Sequence, residues 1–240
     1  MKVIIVLISV CCSAFSFNIS AKESKIAGLI TYQVFNSERN ENINVHVWYP
    51  TNEKLTNFNF GENKVFIGNE ARVNSPISKG KYPIILLAHG GMRASPFHSG
   101  WAASGLAKRG FVVVVPQSPG YSKLSPSMAS SELWLRPGDL SYSLTSVENS
   151  EFFKDAIDGD KIYGVGFFLG GTSVLSLVGV EFNPSLYKES CKQSGVNVDC
   201  EWLQQNSVDL ASVSNVKLSR SNKNSRIKSI VSINPELTKT

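Results

Sequence analysis

The amino-acid sequence predicts an α/β fold, with a doubly wound and mostly parallel sheet at its core. Two stretches, YPIILLAHGG at 82–91 and FVVVVPQSPG at 111–120, begin with a continuous apolar run and end in a turn that contains glycine. Strands with such uniform apolar character are typically covered on both faces of the sheet. A stretch with helical spacing follows each of them, and this alternation requires right-handed crossovers and parallel strand pairing.

The segments before residue 82 have a different pattern. Residues 25–35 and 43–50 each have the composition of a strand, and the polar segment NSERNEN between them favours an antiparallel hairpin. Residues 51–80 are rich in Asn, Gly and Lys, and we expect a long surface connection there. The N-terminal part of the sheet is therefore expected to be antiparallel.

Three helices and two further strands are predicted after residue 91. The spacing of apolar residues places the helices at 96–110, 136–155 and 170–180, and the strands at 161–168 and 226–237. These elements continue the alternation that begins at the first apolar strand.

The first of these helices has a predicted core face and a predicted end. Trp101 and Leu106 are expected to contact the core, and Gly110 to cap the helix C-terminus. Residues 181–225 are polar and irregular, and we expect a variable insertion in that part of the chain.

Length and composition fit one substantial domain, because 240 residues with 42% hydrophobic and 18% charged content are typical of globular proteins. We assign it to residues 25–240. Residues 1–16 carry one positive charge, an apolar run and small residues near the end, which is typical of a secretory signal peptide cut there or as late as residue 21. Ser9 and Ser13 interrupt the run, which is too short for a stable membrane anchor. The sequence therefore predicts an exported protein, periplasmic or secreted.

Cleavage of the signal peptide would leave two of the four cysteines, Cys191 and Cys200. An even number of cysteines in an exported chain favours a short-range disulfide between them. A metal pair lacks support, because the three histidines, at 46, 89 and 98, lie in the other half of the sequence. We expect neither a metal site nor a cofactor.

Positive charge is spread along the chain rather than gathered into one binding surface. The formal net charge is +5, and the mild cluster KLSRSNKNSRIK at 217–228 is typical of a solvated loop. A nucleic-acid interface needs basic residues concentrated on one face. Nucleic acid is therefore not an expected partner.

The stretch GFFLGG at 166–171 joins a predicted strand to a predicted helix. Functional groups gather at the carboxyl ends of strands in an open α/β sheet. Gly166 and Gly170 stand two residues before and two after Phe168, which is the spacing of a nucleophile elbow, G-x-S-x-G. The glycines of that motif permit a cramped turn, but its serine is replaced here by Phe168.

Other interpretations of this segment fit less well. A dinucleotide-binding turn needs G-x-G-x-x-G after the first strand, whereas the GVG at 164–166 is followed by Gly170, one place too late. An ordinary strand end at Phe168 would leave the glycine spacing unexplained. Thr172 and Ser173 lie further into the predicted helix and face the wrong direction to replace the nucleophile.

These motifs resemble those of the α/β-hydrolases, in particular the secreted group similar to dienelactone hydrolase and platelet-activating-factor acetylhydrolase. The segments that carry the resemblance are, in chain order, VWYP, YPIILLAHGG, LAKRGFVVVVPQSPG, RPGDL, IDGDKIYGVGF with LGG, and RIKSIVSINP. Together they extend over most of residues 25–237. The resemblance implies a fold of that type and relatives that cleave carboxylic esters or related acyl bonds.

The resemblance also implies roles for individual residues. The backbone amides of Gly91 and Leu169 would form the oxyanion hole, and His89 would brace the turn by hydrogen bonding rather than act as a base. Phe168 stands where such enzymes have their nucleophile. A benzyl side chain has no lone pair to attack a carbonyl carbon, so acyl-enzyme chemistry at this position is excluded.

The acid and the base of such enzymes follow the nucleophile on later strands, yet this sequence has no histidine after His98. The resemblance therefore predicts a domain without the C-terminal strands, with an open apolar edge at 226–237 that a partner could cover. We expect no triad-based activity. Two alternatives remain: a secreted pseudoenzyme that binds a small apolar, ester or acyl ligand, and a fragment of an active serine esterase.

Overall fold

One mixed sheet of eight strands organises the part of the chain that the structure describes. This computed structural model describes residues 26–53, 57–91, 95–118, 126–190, 192, 198–209 and 213–236. The strands are β1 (Ala27–Asn36), β2 (Glu41–Pro50), β3 (Asn57–Phe60), β4 (Asn69–Val73), β5 (Tyr82–Ala88), β6 (Val112–Gln117), β7 (Ile157–Phe167) and β8 (Ile227–Ile233). The predicted signal peptide lies outside the described residues.

The order of strands across the sheet is β3-β4-β1-β2-β6-β5-β7-β8. The four strands β6, β5, β7 and β8 pair in parallel, as the alternation of strands and helices predicts. The antiparallel hairpin β1–β2 is also confirmed, with a register from Ala27 opposite Pro50 to Asn36 opposite Glu41. Strand β2 joins the hairpin to the parallel half by pairing antiparallel with β6.

The prediction of a surface connection over residues 51–80 is wrong in part, because β3 and β4 extend the sheet there. Strand β4 pairs in parallel with β1, from Ala27 opposite Ala71 to Leu29 opposite Val73, and β3 pairs antiparallel with β4. The open side of β1 supplies the hydrogen-bonding partner that makes this polar segment a strand. Phe60 and Ala71 are buried and tie the added strands to the core.

Seven helices occur among the described residues, and some of them pack on each face of the sheet. They are α1 (Gly100–Lys108), α2 (Pro126–Ala129), α3 (Glu132–Glu148), α4 (Leu169–Leu177), α5 (Pro184–Ser190), α6 (Val198–Gln205) and α7 (Asn215–Leu218), and a 3-10 turn at Pro96–Ser99 precedes α1. The irregular segment predicted at 181–225 therefore contains three short helices.

Helix α3 begins four residues earlier and ends seven residues earlier than predicted. Leu133 and Trp134 are buried, so the apolar face of the helix starts before Arg136, although Pro137 lies inside the helix. Proline has no N–H to donate to the carbonyl of Leu133, four residues earlier, so α3 lacks one intrahelical hydrogen bond there. Residues 149–155 form turns instead of a further helical segment.

Helix α1 contacts the sheet through small side chains, and the prediction of Trp101 as a core residue is wrong. The indole is 63% exposed, whereas Ala102, Ala103 and Ala107 are buried. Alanines let the helix axis approach the sheet closely, and the bulky indole is left on the outer side. Gly110 follows the helix with φ 90°, which agrees with its predicted capping role.

The core consists of two apolar layers, one on each face of the sheet. Consecutive residues of β5 alternate between them: Ile84 and Leu86 belong to one layer, and Ile85 and Leu87 to the other. Such alternation is the consequence of the two-residue period of a strand. It explains why the sequence of β5 is apolar without interruption.

Strand β8 forms one edge of the sheet. It pairs with β7 on one side, and no other described strand pairs with its opposite side. Val231 is 55% exposed and Ile233 42% exposed at this edge. None of the described helices combines the length and the apolar character required to cross a bilayer.

Candidate functional site

The turn between β7 and α4 holds Phe168 in a strained backbone conformation, with φ 52° and ψ −120°. Four other described non-glycine residues have positive φ, and all are small and polar: Asn40, Asn74, Ser207 and Asn234. A bulky residue in this region is an outlier that costs roughly 1–3 kcal/mol and persists only where the surroundings enforce it. The backbone at Phe168 therefore has the strained strand-to-helix turn that displays a nucleophile in an elbow.

The glycines on either side of Phe168 are required by close backbone contacts. A Cβ atom at Gly166 would lie 2.1 Å from the carbonyl oxygen of Gly170. A Cβ atom at Gly170 would lie 2.2 Å from the carbonyl oxygen of Ala88, at the end of β5. The spacing noticed in the sequence thus corresponds to a turn in which strand, helix and neighbouring strand approach one another without room for a side chain.

Backbone hydrogen bonds fix the turn to the segment that follows β8. The amide of Phe168 donates to the carbonyl of Ile233 at 3.0 Å, and the amide of Glu236 donates to the carbonyl of Phe168 at 3.3 Å. The hydroxyl of Thr172 donates to the carbonyl of Glu236, and that of Ser173 to the carbonyl of Leu169 at 2.9 Å. Both hydroxyl groups are thus engaged by backbone within or beside α4.

We expect the strain at Phe168 to be measurable by comparing two truncations. Phe168→Gly and Phe168→Ala both remove the ring, but only glycine adopts this backbone region without cost. The glycine variant should therefore have a free energy of unfolding about 1–3 kcal/mol higher than the alanine variant. Urea denaturation of the two variants measures this difference.

The matched control is Phe35 in β1, a phenylalanine that is 56% exposed and has ordinary extended backbone. There the order should reverse, with Phe35→Ala more stable than Phe35→Gly by about 0.5–1 kcal/mol. The same order at both positions would contradict the assignment of strain to residue 168.

His89 occupies the turn after β5 and is buried. Its Nδ1–H donates to the carbonyl oxygen of Gly90 at 3.3 Å. Burial and the nearby Arg136 guanidinium lower the pKa of His89 from 6.5 to about 3, so the imidazole is neutral at physiological pH. A buried, neutral imidazole bonded to the backbone can brace the turn.

Arg136 of α3 binds three successive carbonyl groups of this turn. Its guanidinium donates to the oxygens of His89 at 3.3 Å, Gly90 at 3.4 Å and Gly91 at 2.7 Å. The C=O and N–H of a trans peptide point in opposite directions, and no described peptide is cis. The bond to the Gly90 carbonyl therefore holds the Gly91 N–H on the side away from Arg136.

A buried ionic network supports Arg136. Glu132 accepts from Arg39 at 2.7 and 2.9 Å and from Arg136 at 3.2 Å. Asp139 accepts from Arg39 through two bonds of 2.7 Å. Two arginines and two carboxylates balance in charge, and every buried charge has an opposite partner, which is the arrangement that buried ions require.

Sequence reasoning missed this network, although a signal was present. Glu132, Arg136 and Asp139 are spaced i, i+4 and i+7, so they share one face of α3. That face also carries Leu140 and Val147, and charged residues beside such apolar residues indicate a buried partner. The partner, Arg39, lies about a hundred positions earlier in the β1–β2 turn, and no local pattern connects it to α3.

An open cavity of about 310 Å³ lies beside Phe168. Its lining residues are His89, Gly90, Gly91, His98, Ser99, Trp101, Phe167 and Phe168. The Phe168 ring is 45% exposed and covers Gly90, where a Cβ atom would lie 2.9 Å from its Cδ2. Leu169 is the first residue of α4, where backbone N–H groups have no intrahelical acceptor. We name the cavity beside Phe168 the elbow cavity.

The predicted disulfide does not enter this site. Cys200 is buried in α6 among the helices that follow α4, and Cys191 lies outside the described residues. The pairing of the two stays a prediction. Within the described ranges, no three His, Cys, Asp or Glu side chains are grouped so that they could hold a metal ion.

Comparison with solved structures shows the α/β-hydrolase fold. The ferulic acid esterase from Streptomyces cinnamoneus is similar with a TM-score of 0.50 at 18% identity, over 65% of this chain and 56% of that chain. The acylaminoacyl peptidase from Pyrococcus horikoshii has a TM-score of 0.49 at 16% identity, over 82% of this chain and 30% of that chain. Esterase Est22 has a TM-score of 0.41 at 15% identity, over 62% of this chain and 37% of that chain.

The chain thus spans little more than half the length of the first of these proteins, and less of the others. No protein-family model and no curated protein sequence matches it.

Proposed function

We propose that this protein is a non-catalytic relative of carboxylic-ester and acyl hydrolases, of the dienelactone-hydrolase-like or platelet-activating-factor-acetylhydrolase-like type, which binds a small ester or acyl ligand without cleaving it. The observation that carries the proposal is the elbow geometry at Phe168, which is kept while the nucleophile is absent. A strained backbone conformation costs free energy, and phenylalanine does not favour this conformation. That the strain is nevertheless kept at residue 168 points to a retained use of the site.

The side chains around the elbow cavity support binding rather than cleavage. Phe168 offers no lone pair, so no acyl-enzyme can form at this position. His46 is buried between Thr31 and Gln117, at 2.8 and 3.0 Å, and His89 is held neutral below the turn. His98 lines the elbow cavity beside Ser99, whose hydroxyl is engaged by the backbone because it donates to the carbonyl of Pro96 at 3.0 Å.

The groups that remain suit a ligand carbonyl and its apolar substituents. In our proposal, the N–H groups of Gly91 and Leu169 donate to the carbonyl oxygen, because neither donor depends on a side chain. The rings of Trp101 and Phe167, with centroids 6.0 Å apart, and of Phe168 provide apolar walls. A few donors within an apolar cavity of this size are typical of a small-molecule site.

The proposal is tested with p-nitrophenyl butyrate. We expect saturable quenching of tryptophan fluorescence, no release of p-nitrophenol above the buffer rate, and no labelling by a fluorophosphonate probe. Trp101→Phe should remove most of the quenching, because the indole lines the cavity. Absence of saturable binding would contradict the proposal.

Phe168→Ser tests the chemical part separately. We expect this variant to have no esterase activity, since the described residues that line the elbow cavity include no carboxylate that could complete a triad with a histidine and a serine at 168. Turnover of p-nitrophenyl acetate together with a covalent adduct at residue 168, detected by intact mass spectrometry, would refute this expectation.

A second candidate function is membership in a longer serine esterase, and it is favoured by the coverage of only 56% of the ferulic acid esterase. Intact mass of the natively exported protein decides between the two. A larger mass together with fluorophosphonate labelling would support the longer esterase. A chain ending at Thr240 without labelling would support the non-catalytic protein. The same spectrum, recorded with and without reduction, tests signal cleavage and the Cys191–Cys200 disulfide.

A further inference from the structure

We propose that a second cavity, next to the elbow cavity, binds the apolar tail of the ligand. This inference rests on the proposed function, in which the elbow cavity holds the carbonyl head. The second cavity lies between the turn that joins β3 to β4, residues 61–68, and the segment with Phe97 and Trp101. We name it the hairpin groove. The expected ligand is an uncharged ester with a linear or aryl tail.

The hairpin groove has a volume of about 570 Å³ and carries no Asp, Glu, Lys or Arg side chain in its lining. The lining residues are Phe60, Gly61, Asn63, Val65, Phe66, Ile67, Gly68, Asn69, Phe97, His98 and Trp101. Its only polar side chains are two asparagines and one histidine. Such a lining favours an apolar tail and disfavours a carboxylate or phosphate group, which would lose its hydration without gaining a fixed counter-charge.

One wall of the groove exposes three consecutive apolar side chains. Val65 is 79% exposed, Phe66 64% and Ile67 83%. A run of this kind in a turn gains nothing from core packing and is unfavourable in water unless something covers it. The exposure is thus explained if a ligand is the missing cover.

The turn that carries this wall has a defined conformation. The amide of Asn63 donates to the carbonyl of Phe66 at 2.9 Å, and the Asn63 side-chain oxygen accepts from the amides of Val65 at 2.9 Å and Phe66 at 3.1 Å. Gly61 and Gly68 bound the turn with φ 81° and 82°, a region that favours glycine. The apolar side chains are therefore presented before a ligand arrives, which reduces the ordering cost of binding.

The opposite side of the groove is anchored to the sheet by aromatic contacts. Phe60 is buried and packs edge-to-face on Phe97, with centroids 4.8 Å apart, and on Trp48, at 5.3 Å. A Cβ atom at Gly61 would lie 3.0 Å from the Cβ of Phe97, so glycine lets the turn approach this floor. The groove is thus a surface between fixed elements.

The two cavities are adjacent, because His98 and Trp101 line both. One molecule can therefore place its carbonyl near Gly91 and extend its tail past Trp101 toward Ile67. Each volume falls within the range of small-molecule sites, roughly 300–1,000 Å³. Because the two cavities share these lining residues, we expect a single ligand with a head and a tail rather than two separate ligands.

The experiment measures the affinity of methyl butanoate, methyl hexanoate and methyl octanoate by isothermal titration calorimetry. For the wild-type protein we expect affinity to rise at least tenfold from butanoate to octanoate, because each added methylene buries apolar surface. Ile67→Asp and Phe66→Asp should abolish this rise while leaving butanoate affinity within twofold. Both positions are exposed, so folding, checked by circular dichroism, should be retained.

Matched controls are available at exposed apolar residues far from the groove. Val216 is 80% exposed in α7 and Phe35 is 56% exposed in β1. Val216→Asp and Phe35→Asp should keep the full dependence on chain length. Phe168→Trp, which enlarges the ring in the elbow cavity, should weaken all three esters about equally.

The outcomes separate the groove from the proposed function. If the rise with chain length survives in Ile67→Asp while Phe168→Trp weakens binding, the groove inference is overturned and the elbow-cavity ligand stands. If only the groove variants weaken binding, the proposed head site fails. If no ester binds, both fail. A wild-type dimer in sedimentation velocity that Ile67→Asp converts to a monomer would make the apolar wall a contact between copies and overturn the inference.

Discussion

Replacing Glu132 by glutamine is expected to lower the free energy of unfolding by about 3–5 kcal/mol at pH 7. The carboxylate is 1% exposed and lies between two arginines. It also accepts from the hydroxyl of Ser118 at 2.7 Å. Without it, Asp139 is the carboxylate that remains paired with Arg39, and the ion pair between Glu132 and Arg136 is lost.

Chemical denaturation measures this loss, and Glu151→Gln is its control. Glu151 forms an ion pair with Lys154, but its side chain is 86% exposed. Exposed pairs contribute little, so the control should change stability by about 0.5 kcal/mol or less. A loss below about 1 kcal/mol in Glu132→Gln would show that the network is not a coupled ionic unit.

The pH dependence gives an independent test of the same group. Despite the opposing effect of burial, the Arg39 and Arg136 guanidinium groups lower the pKa of Glu132 from 4.5 to about 2. A carboxyl with a lowered folded-state pKa stabilises the fold fully above its unfolded pKa, and the stabilisation is lost as pH falls through the folded value. The contribution of Glu132 to the free energy of unfolding should therefore fall by about 3 kcal/mol between pH 4.5 and pH 2.

The difference in stability between wild type and Glu132→Gln should accordingly be constant above pH 4.5 and shrink below it. Burial raises the pKa of Asp139, so that carboxyl does not add to the acid-side loss. Taking the difference between the two proteins removes the contribution of groups outside the network, which titrate alike in both. Asp139 is not one of these groups, because the Glu132 charge itself helps to raise the pKa of Asp139. A difference in the free energy of unfolding that stays constant down to pH 2 would contradict the lowered pKa of Glu132.

This network also links stability to the proposed site. Arg136 bonds to the carbonyls of His89, Gly90 and Gly91, so its position sets the direction of the Gly91 N–H. Arg136 in turn is held by Glu132. If the proposed function holds, ester binding through this amide depends on a charge in α3 that lies outside the proposed site.

The interior of the sheet and the elbow could be predicted from sequence because their constraints are local. Strands β5 and β6 are buried on both faces, which produces continuous apolar runs at 82–88 and 112–116. The glycines around Phe168 are fixed by contacts within a few residues of the turn and with the adjacent strand. Such constraints leave a trace in the order of residues along the chain.

The edge strands and the ionic network could not be predicted because they depend on distant partners. The Asn-rich β3 and the polar β4 are strands only because the open side of β1 accepts them. Trp101 is exposed because neighbouring alanines take the core contacts of α1. Arg39 meets Asp139 a hundred positions away, and the sequence gives no spacing for such a pair.

Gly170→Ala is expected to lower the free energy of unfolding by about 3 kcal/mol or more, against the usual preference of a helix for alanine. Gly170 lies in α4 and is not among the residues with positive φ, so its backbone alone would accept alanine. The cost is steric, because the new Cβ would lie 2.2 Å from the Ala88 oxygen and 2.5 Å from the His89 oxygen. Neither backbone atom can move without displacing the end of β5.

Gly105 in α1 is the matched control for this substitution. A Cβ atom there would have its nearest neighbour at 3.5 Å, the flexible guanidinium end of Arg109. Gly105→Ala should therefore stabilise the protein by about 0.5–1 kcal/mol, through the ordinary propensity of alanine in a helix. Urea denaturation measures the change in the free energy of unfolding for both variants. A decrease for Gly170→Ala and an increase for Gly105→Ala would show that α4 lies close against the His89–Gly90 turn, although residue 168 is not a nucleophile. Stabilisation at both positions would mean that the helix can move away from β5, and the elbow geometry would lose its support.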